Sequence, residues 1–222
     1  VVDAFDRLLV VLRMASLGTA DDTEPFLFGE FTRLDLPGHG GSTKALEHPK
    51  LATLVSAVSS FMDRTGIAAA HLVGHSLGGL NMLLMGARHP ELSAGLVLVD
   101  PPPIAFLAGE KFPELRADAE STSVRLGRDA EAAASSSDST VAGQAPRLRM
   151  LASEHAEMFS ADAGGVAEID SLGDTPVTVI VAGNANPAFG SVAFTFQEFW
   201  IDENTRVAEM SRRPRLRIAR SG

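Results

Sequence analysis

Gly74, His75, Ser76, Leu77 and Gly78 form a G-x-S-x-G pentapeptide inside the stretch "LVGHSLGGL" (72–80). Residues of these types at this spacing can present a serine hydroxyl to a substrate carbonyl. A free hydroxyl is a weak nucleophile, so the chemistry also needs a histidine to accept its proton and a carboxylate to orient that histidine. The glycines have a mechanical reason. A serine raised on a very tight turn holds a strained backbone, and the residues two before and two after it must lack bulk. The small or apolar residues Ala69, Ala70, Leu72 and Val73 lead in as a strand would, and Leu80 to Arg88 can continue as a helix. A strand–turn–helix is the setting this motif requires. The competing use of Ser76 is to cap that helix, which serine does often.

The carboxylate candidate is Asp100, directly after the apolar "LVLV" of residues 96–99. At the carboxyl end of a strand it would face the crevice where open α/β sheets bind ligands. It could equally hydrogen-bond loop amides or cap the turn of Pro101, Pro102 and Pro103. The chain has six histidines. His75 adjoins the serine, but a tight turn directs neighbouring side chains apart. His39 and His48 fall in Gly/Pro-containing loops, His71 in a strand and His89 at a helix end, while His155 could reach Ser76 only if its segment folded over the site.

Other chemistries find less support. "HPELS" at His89 is not H-E-x-x-H, and no other His/Asp/Glu cluster has metal-ligand spacing. No G-x-G-x-x-G follows a strand, and the absence of cysteine excludes thiolate sites and disulfides. Nothing in the sequence calls for a cofactor.

These residues need a scaffold to hold them. "RLLVVL" (7–12) is a continuous apolar run of the kind a buried parallel strand shows, and "TRLDLPGHGGST" (32–43) reads as a strand ending in a Pro/Gly loop. Leu51, Leu54, Val55, Val58, Phe61 and Met62 make one helical stripe. His89-Pro90 ends the helix after Ser76, because proline disfavours helical geometry in the residue before it. "AGLVLVDPPP" (94–103), "TPVTVIVAG" (175–183) and the weaker "RLRIA" (215–219) are further strands, with a helix holding Phe199, Trp200, Val207 and Met210 between the last two. The alternation predicts an α/β protein: an open, mostly parallel sheet with helices on both faces. Residues 104–172 interrupt it with helical pieces such as 145–159 and the Ser/Ala-rich "AEAAASSSDSTVAG" (130–143), giving a lid-like or mobile insertion between core segments 1–103 and 173–222.

The 222 residues suit one core, and 45% hydrophobic with 21% charged residues is ordinary for a globular protein. A formal charge of −9 argues against nucleic acid. The basic run Arg212, Arg213, Arg215, Arg217 and Arg220 straddles the last strand and reads as a solvated edge. No apolar run reaches the ~20 residues of a membrane span, and "VVDAFDRLLVVLRM" is too charged for a signal-peptide core, so a cytoplasmic location is expected. Oligomeric state is left open.

With "LDLPGHGGS" (34–42), "GHSLGG" (74–79), "GLVLVDPPP" (95–103), "PVTVIVAG" (176–183) and the "FWIDENTRVAEMS…RLRIARSG" ending in this order, the chain resembles the α/β-hydrolase superfamily. The resemblance implies hydrolysis through an acyl-enzyme, with Ser76 as nucleophile and the order serine, acid, histidine along the chain. Relatives commonly carry the acid after the strand matching "TPVTVIVAG", where this chain has Asn184 and Asn186. Others carry it one strand earlier, which implies Asp100. The oxyanion donors implied are the backbone N–H of Leu77 and, from the loop "RMASLGTADD", that of Leu17, with Ser16 where a glycine is usual. The histidine is implied just past the Ser-Gly pair at which this chain stops, and Leu8–Leu12 matches the family's third strand. Both ends are therefore expected to lie inside the domain, and this chain is expected to be impaired towards a small ester, thioester or lactone substrate. The alternatives are a non-catalytic ligand-binding protein, or a cofactor-free haloperoxidase or acyltransferase using the same serine.

Overall fold

The computed structural model describes residues 9–14, 31–37, 42, 50–160 and 162–220. Among the described residues six strands form one sheet: β1 (Leu9–Met14), β2 (Phe31–Asp35), β3 (Ala70–His75), β4 (Ser93–Val99), β5 (Val177–Ala182) and β6 (Pro214–Ala219), in the order β2-β1-β3-β4-β5-β6. β3 to β6 are parallel, with His75 opposite Val99 and Val99 opposite Ile180. β1 is antiparallel to both β2 and β3, so that Val10 lies opposite Gly74 and Met14 opposite Ala70. The apolar run of residues 7–12 predicts a parallel strand, and β1 departs from that. An unbroken apolar run specifies burial on both faces but carries no information about direction.

Helix α1 (Leu51–Thr65) buries the expected stripe, Leu51, Leu54, Val55, Val58 and Met62, with Phe61 half-buried against the core. It stops at Gly66, whose φ of 73° lets its N–H close on Asp63 and Met62. Helix α2 (Leu77–Arg88) follows β3 and ends before His89-Pro90 as the sequence implied. Helix α7 (Ala193–Glu209) joins β5 to β6. These two β-α-β crossovers advance in the same direction across the sheet, so crossovers of the usual hand place α2 and α7 against the same face. That face carries the fully buried Leu72, Leu98, Val177, Val179 and Val181, while the alternate residues Val73, Val97 and Ile180 are half-buried. Among the described residues β6 lies at one end of the strand order, and Arg213, Arg215, Arg217 and Arg220 are all exposed on or beside it.

Between β4 and β5, residues 104–172 hold helices α3 (Ile104–Leu107), α4 (Pro113–Ala134), α5 (Ser139–Ala142) and α6 (Ala145–Met158). The Ser/Ala-rich stretch is divided among these elements. Its alanines close α4, Ser135 to Ser137 make the turn, and the Asp138 carboxylate caps α5 by accepting from the Thr140 and Val141 N–H groups. Two devices moor the insertion. Arg116 donates to the Leu107 carbonyl (3.0 Å) and the Phe159 carbonyl (2.6 Å), with its guanidinium 5.4 Å from the Phe159 ring centroid. Phe196 of α7 is the centre of an aromatic cluster, its ring centroid 4.8–5.6 Å from those of Phe106, Phe112, Phe189 and Trp200. Phe106, Leu107, Met150, Leu151, Met158 and Phe159 are buried packing residues of this insertion.

His155 is a buried chargeable group on α6, next to the buried Glu154. It is 8% exposed and lies over Phe159, with ring centroids 5.0 Å apart. Burial holds its imidazole below the usual histidine value; the nearby Arg125 adds to that effect and Glu120 opposes it. A histidine kept neutral in the fold is protonated more readily once unfolded. Its contribution to stability is therefore full above the ordinary pKa of about 6.5 and is lost as pH falls from there through the lower folded value. Urea unfolding at pH 7.5 and 5.5 will show a loss of stability at the lower pH that is smaller in His155→Phe. An equal loss in both proteins would exclude this histidine as the cause.

Candidate active site

β3 delivers its last residue, His75, to the carboxyl end of the sheet, and the chain turns into α2 within one residue. That residue is Ser76, at φ 52° and ψ −121°. Non-glycine residues avoid this region, and holding one there costs about 1–3 kcal/mol. The turn is fixed from several sides. The Ser76 N–H donates to the Val99 carbonyl of β4 (2.9 Å), and the Ser76 carbonyl accepts from Gly79 (2.8 Å) and Leu80 (3.3 Å). Gly74 and Gly78 are buried where the chain nearly touches itself: a β-carbon on Gly74 would stand 2.1 Å from the Gly78 oxygen. Gly79 packs on the first proline after β4, at 3.0 Å from Pro101 Cβ for an added β-carbon. His75 is exposed.

Ser76 does not cap α2. Its side chain makes no capping bond, and the hydroxyl has no hydrogen-bond partner among the described residues. The Leu77 N–H, the first of α2, likewise meets no acceptor among them, so it stands at the positive end of a twelve-residue helix beside the serine. Leu17, expected as the second donor, lies outside the described residues.

Asp100 is next to Ser76 in register, since it follows Val99 as Ser76 follows His75. It too has a left-handed backbone, at φ 48°. Its N–H donates to the Ile180 carbonyl (2.7 Å), and its carboxylate reaches across the end of β5. Oδ1 accepts from the Ala182 N–H (3.1 Å) and from Trp200 Nε1 of α7 (3.0 Å). Oδ2 accepts no hydrogen bond among the described residues, and Asp100 itself is half-buried. The structure thus contains the loop-amide bond considered from sequence and leaves the second oxygen available. At the end of β5, Asn186 is occupied as a cap, its Oδ1 accepting from the Ala188 N–H.

The sequence reading missed the support beneath Asp100. Gln197, Trp200 and Asn204 form one polar stripe on α7. Gln197 donates to the Ala182 carbonyl (2.6 Å), Trp200 to Asp100, and Asn204 Nδ2 to the Pro101 carbonyl (3.1 Å). The available signal was their spacing, i, i+3 and i+7, which puts them on one helical face.

None of the four described histidines is bonded to Ser76. His71 sits half-buried on β3 against Gly95, His75 is exposed, His89 lies 3.4 Å from Glu91, and His155 occupies the α4–α6 seam. His39 and His48 lie outside the described residues.

A mostly parallel sheet with a strained serine at the strand-to-helix turn defines an α/β hydrolase architecture, and comparison agrees. The profile of the alpha/beta hydrolase fold matches residues 30–144, more than half of the chain. The chain belongs to the α/β hydrolase fold family. Over 68 residues it is 46% identical to the dihydrolipoyllysine-residue acetyltransferase component of an acetoin cleaving system from Cupriavidus necator, covering 31% of this chain and 18% of that protein. Over 67 residues it is 40% identical to Lipase LipV of Mycobacterium tuberculosis, covering 30% and 25%. The chain therefore spans only a minor part of the length of these relatives. Its fold is similar to the crystal structure of Paleococcus ferrophilus monoacylglycerol lipase, with a TM-score of 0.53 and 20% identity over 88% of this chain and 74% of that one. Among the described residues no helix is long and apolar enough to cross a membrane.

Proposed function

We propose that the chain carries a serine hydrolase site that forms an acyl-enzyme from a small ester, thioester or lactone. Ser76 is the nucleophile, Asp100 the orienting carboxylate and the Leu77 N–H one oxyanion donor. The observation that carries this reading is the backbone of Ser76 together with its hydroxyl, which has no hydrogen-bond partner among the described residues. A strained residue persists only where the surrounding structure enforces it, and a serine that capped its helix would need no such strain.

In the first step Ser76 Oγ bonds to the substrate carbonyl carbon and its proton passes to a base of imidazole type. The carbonyl oxygen becomes an oxyanion facing the Leu77 N–H. Collapse expels the alcohol or thiol, which takes the proton from the base. Water then repeats the sequence on the acyl-serine and releases the acid. The acetyltransferase relative supports one variation, in which a thiol or alcohol rather than water receives the acyl group.

A second reading, a site that binds such molecules without turning them over, is favoured by one fact: no described histidine is bonded to Ser76. One experiment separates the two. Intact mass is measured after exposure to a fluorophosphonate probe, with and without added imidazole. One adduct whose formation requires Ser76 supports the hydrolase reading, and acceleration by imidazole would show that the base was limiting. A folded chain that takes up no adduct under either condition overturns it and leaves binding without turnover.

A further inference from the structure

Asp100 is supported by more than its own loop. Its carboxylate could rotate, but two donors of different origin converge on one oxygen: the Ala182 N–H at the end of β5 and Trp200 Nε1 from the middle of α7. Two bonds on Oδ1 fix the carboxylate plane and leave Oδ2 as the oxygen open to a further donor. The indole cannot easily turn away. It packs against Phe196, at 5.6 Å between ring centroids and near-perpendicular, and its helix is tied on either side by Gln197 to Ala182 and by Asn204 to Pro101. We propose that Trp200 is a positioning residue, which acts through Asp100 by holding Oδ1 and presenting Oδ2 to the N–H of an imidazole base. This rests on the reading of Asp100 as the orienting carboxylate of the Ser76 site.

A bond that merely staples α7 to the sheet would give the same static picture, so the test must read reactivity through Asp100. The rate of Ser76 labelling by the fluorophosphonate probe, with imidazole added, is compared in the full chain, Trp200→Phe, Asp100→Asn and the double variant. Phenylalanine keeps an aromatic ring against Phe196 and removes the N–H donor, although it is smaller than the indole. Loss of a charge-assisted bond predicts a fall of about tenfold in Trp200→Phe, with a higher imidazole concentration needed for half-maximal rate. In the Asp100→Asn background the same change should have no further effect, because residues acting as one unit are not additive. The single tryptophan gives an independent reading of the bond, since the protein has one indole N–H resonance and it should shift in Asp100→Asn.

Labelling of Trp200→Phe at the parental rate, or an equal fall in both backgrounds, overturns the positioning role while the hydrolase reading stands. An indole resonance unmoved in Asp100→Asn overturns the bond itself. A parental chain that takes up no Ser76-dependent label, even with imidazole, overturns the hydrolase reading and Trp200's part in it together.

Discussion

Replacing Ser76 with glycine will make the folded chain more stable and abolish its labelling by a fluorophosphonate probe. Ser76 sits at φ 52° and ψ −121°, where a β-carbon is strained and glycine is not. Relief of about 1–3 kcal/mol of strain is offset in part by the greater freedom glycine gives the unfolded chain, about 0.5–1 kcal/mol. The net gain is ~1 kcal/mol, a rise of roughly 2–4 °C in Tm for a domain of this size. Ser76→Ala is the matched comparison. It keeps the β-carbon and the strain, so its Tm should stay near that of the parent, and it too should take up no Ser76 label. Greater stability with lost reactivity is the signature of a residue held in place for chemistry. If the glycine variant melts with the alanine variant, the strain at this turn is not stored in Ser76.

Gly74→Ala will be severely damaging, more so than the same change at Gly79 in the same turn. The new β-carbon would lie 2.1 Å from the Gly78 oxygen, 2.4 Å from the Gly78 carbonyl carbon and 2.8 Å from the Gly79 nitrogen. All three are backbone atoms of the first turn of α2, so no side chain can swing aside to make room. Opening the turn would drag α2 against Pro101, where Gly79 already leaves little space. We expect a loss of ~3 kcal/mol or more, above the usual range for overpacking because the neighbours are backbone. Any chain that still folds should label at Ser76 at least about a hundredfold more slowly, since displacement of a reacting atom by an ångström has effects of that order. The urea midpoint and the labelling rate together check this. A midpoint equal to the parent's would mean the turn is looser than the structure describes.

The sequence by itself determined the local pieces and their order. The G-x-S-x-G spacing located the turn, the stripe from Leu51 to Met62 located α1, His89-Pro90 ended α2, and the apolar run before Asp100 placed that carboxylate at a strand's carboxyl end. Each is legible because periodicity, proline and glycine act over a few residues of backbone. Tertiary structure decided what those pieces meet. β1 runs antiparallel to its neighbours although its apolar run fits either direction. His155 lies in the seam between α4 and α6, beside groups that no local pattern connects to it. The partners of Asp100 and Pro101 are the most distant case. Ala182, Trp200 and Asn204 come from 82, 100 and 103 residues away and meet the end of β4 only because β5 is its parallel neighbour and α7 packs against β5. Sequence could nominate Asp100, but which of its oxygens is held, and by what, is set by packing between elements, on which a local pattern carries no information.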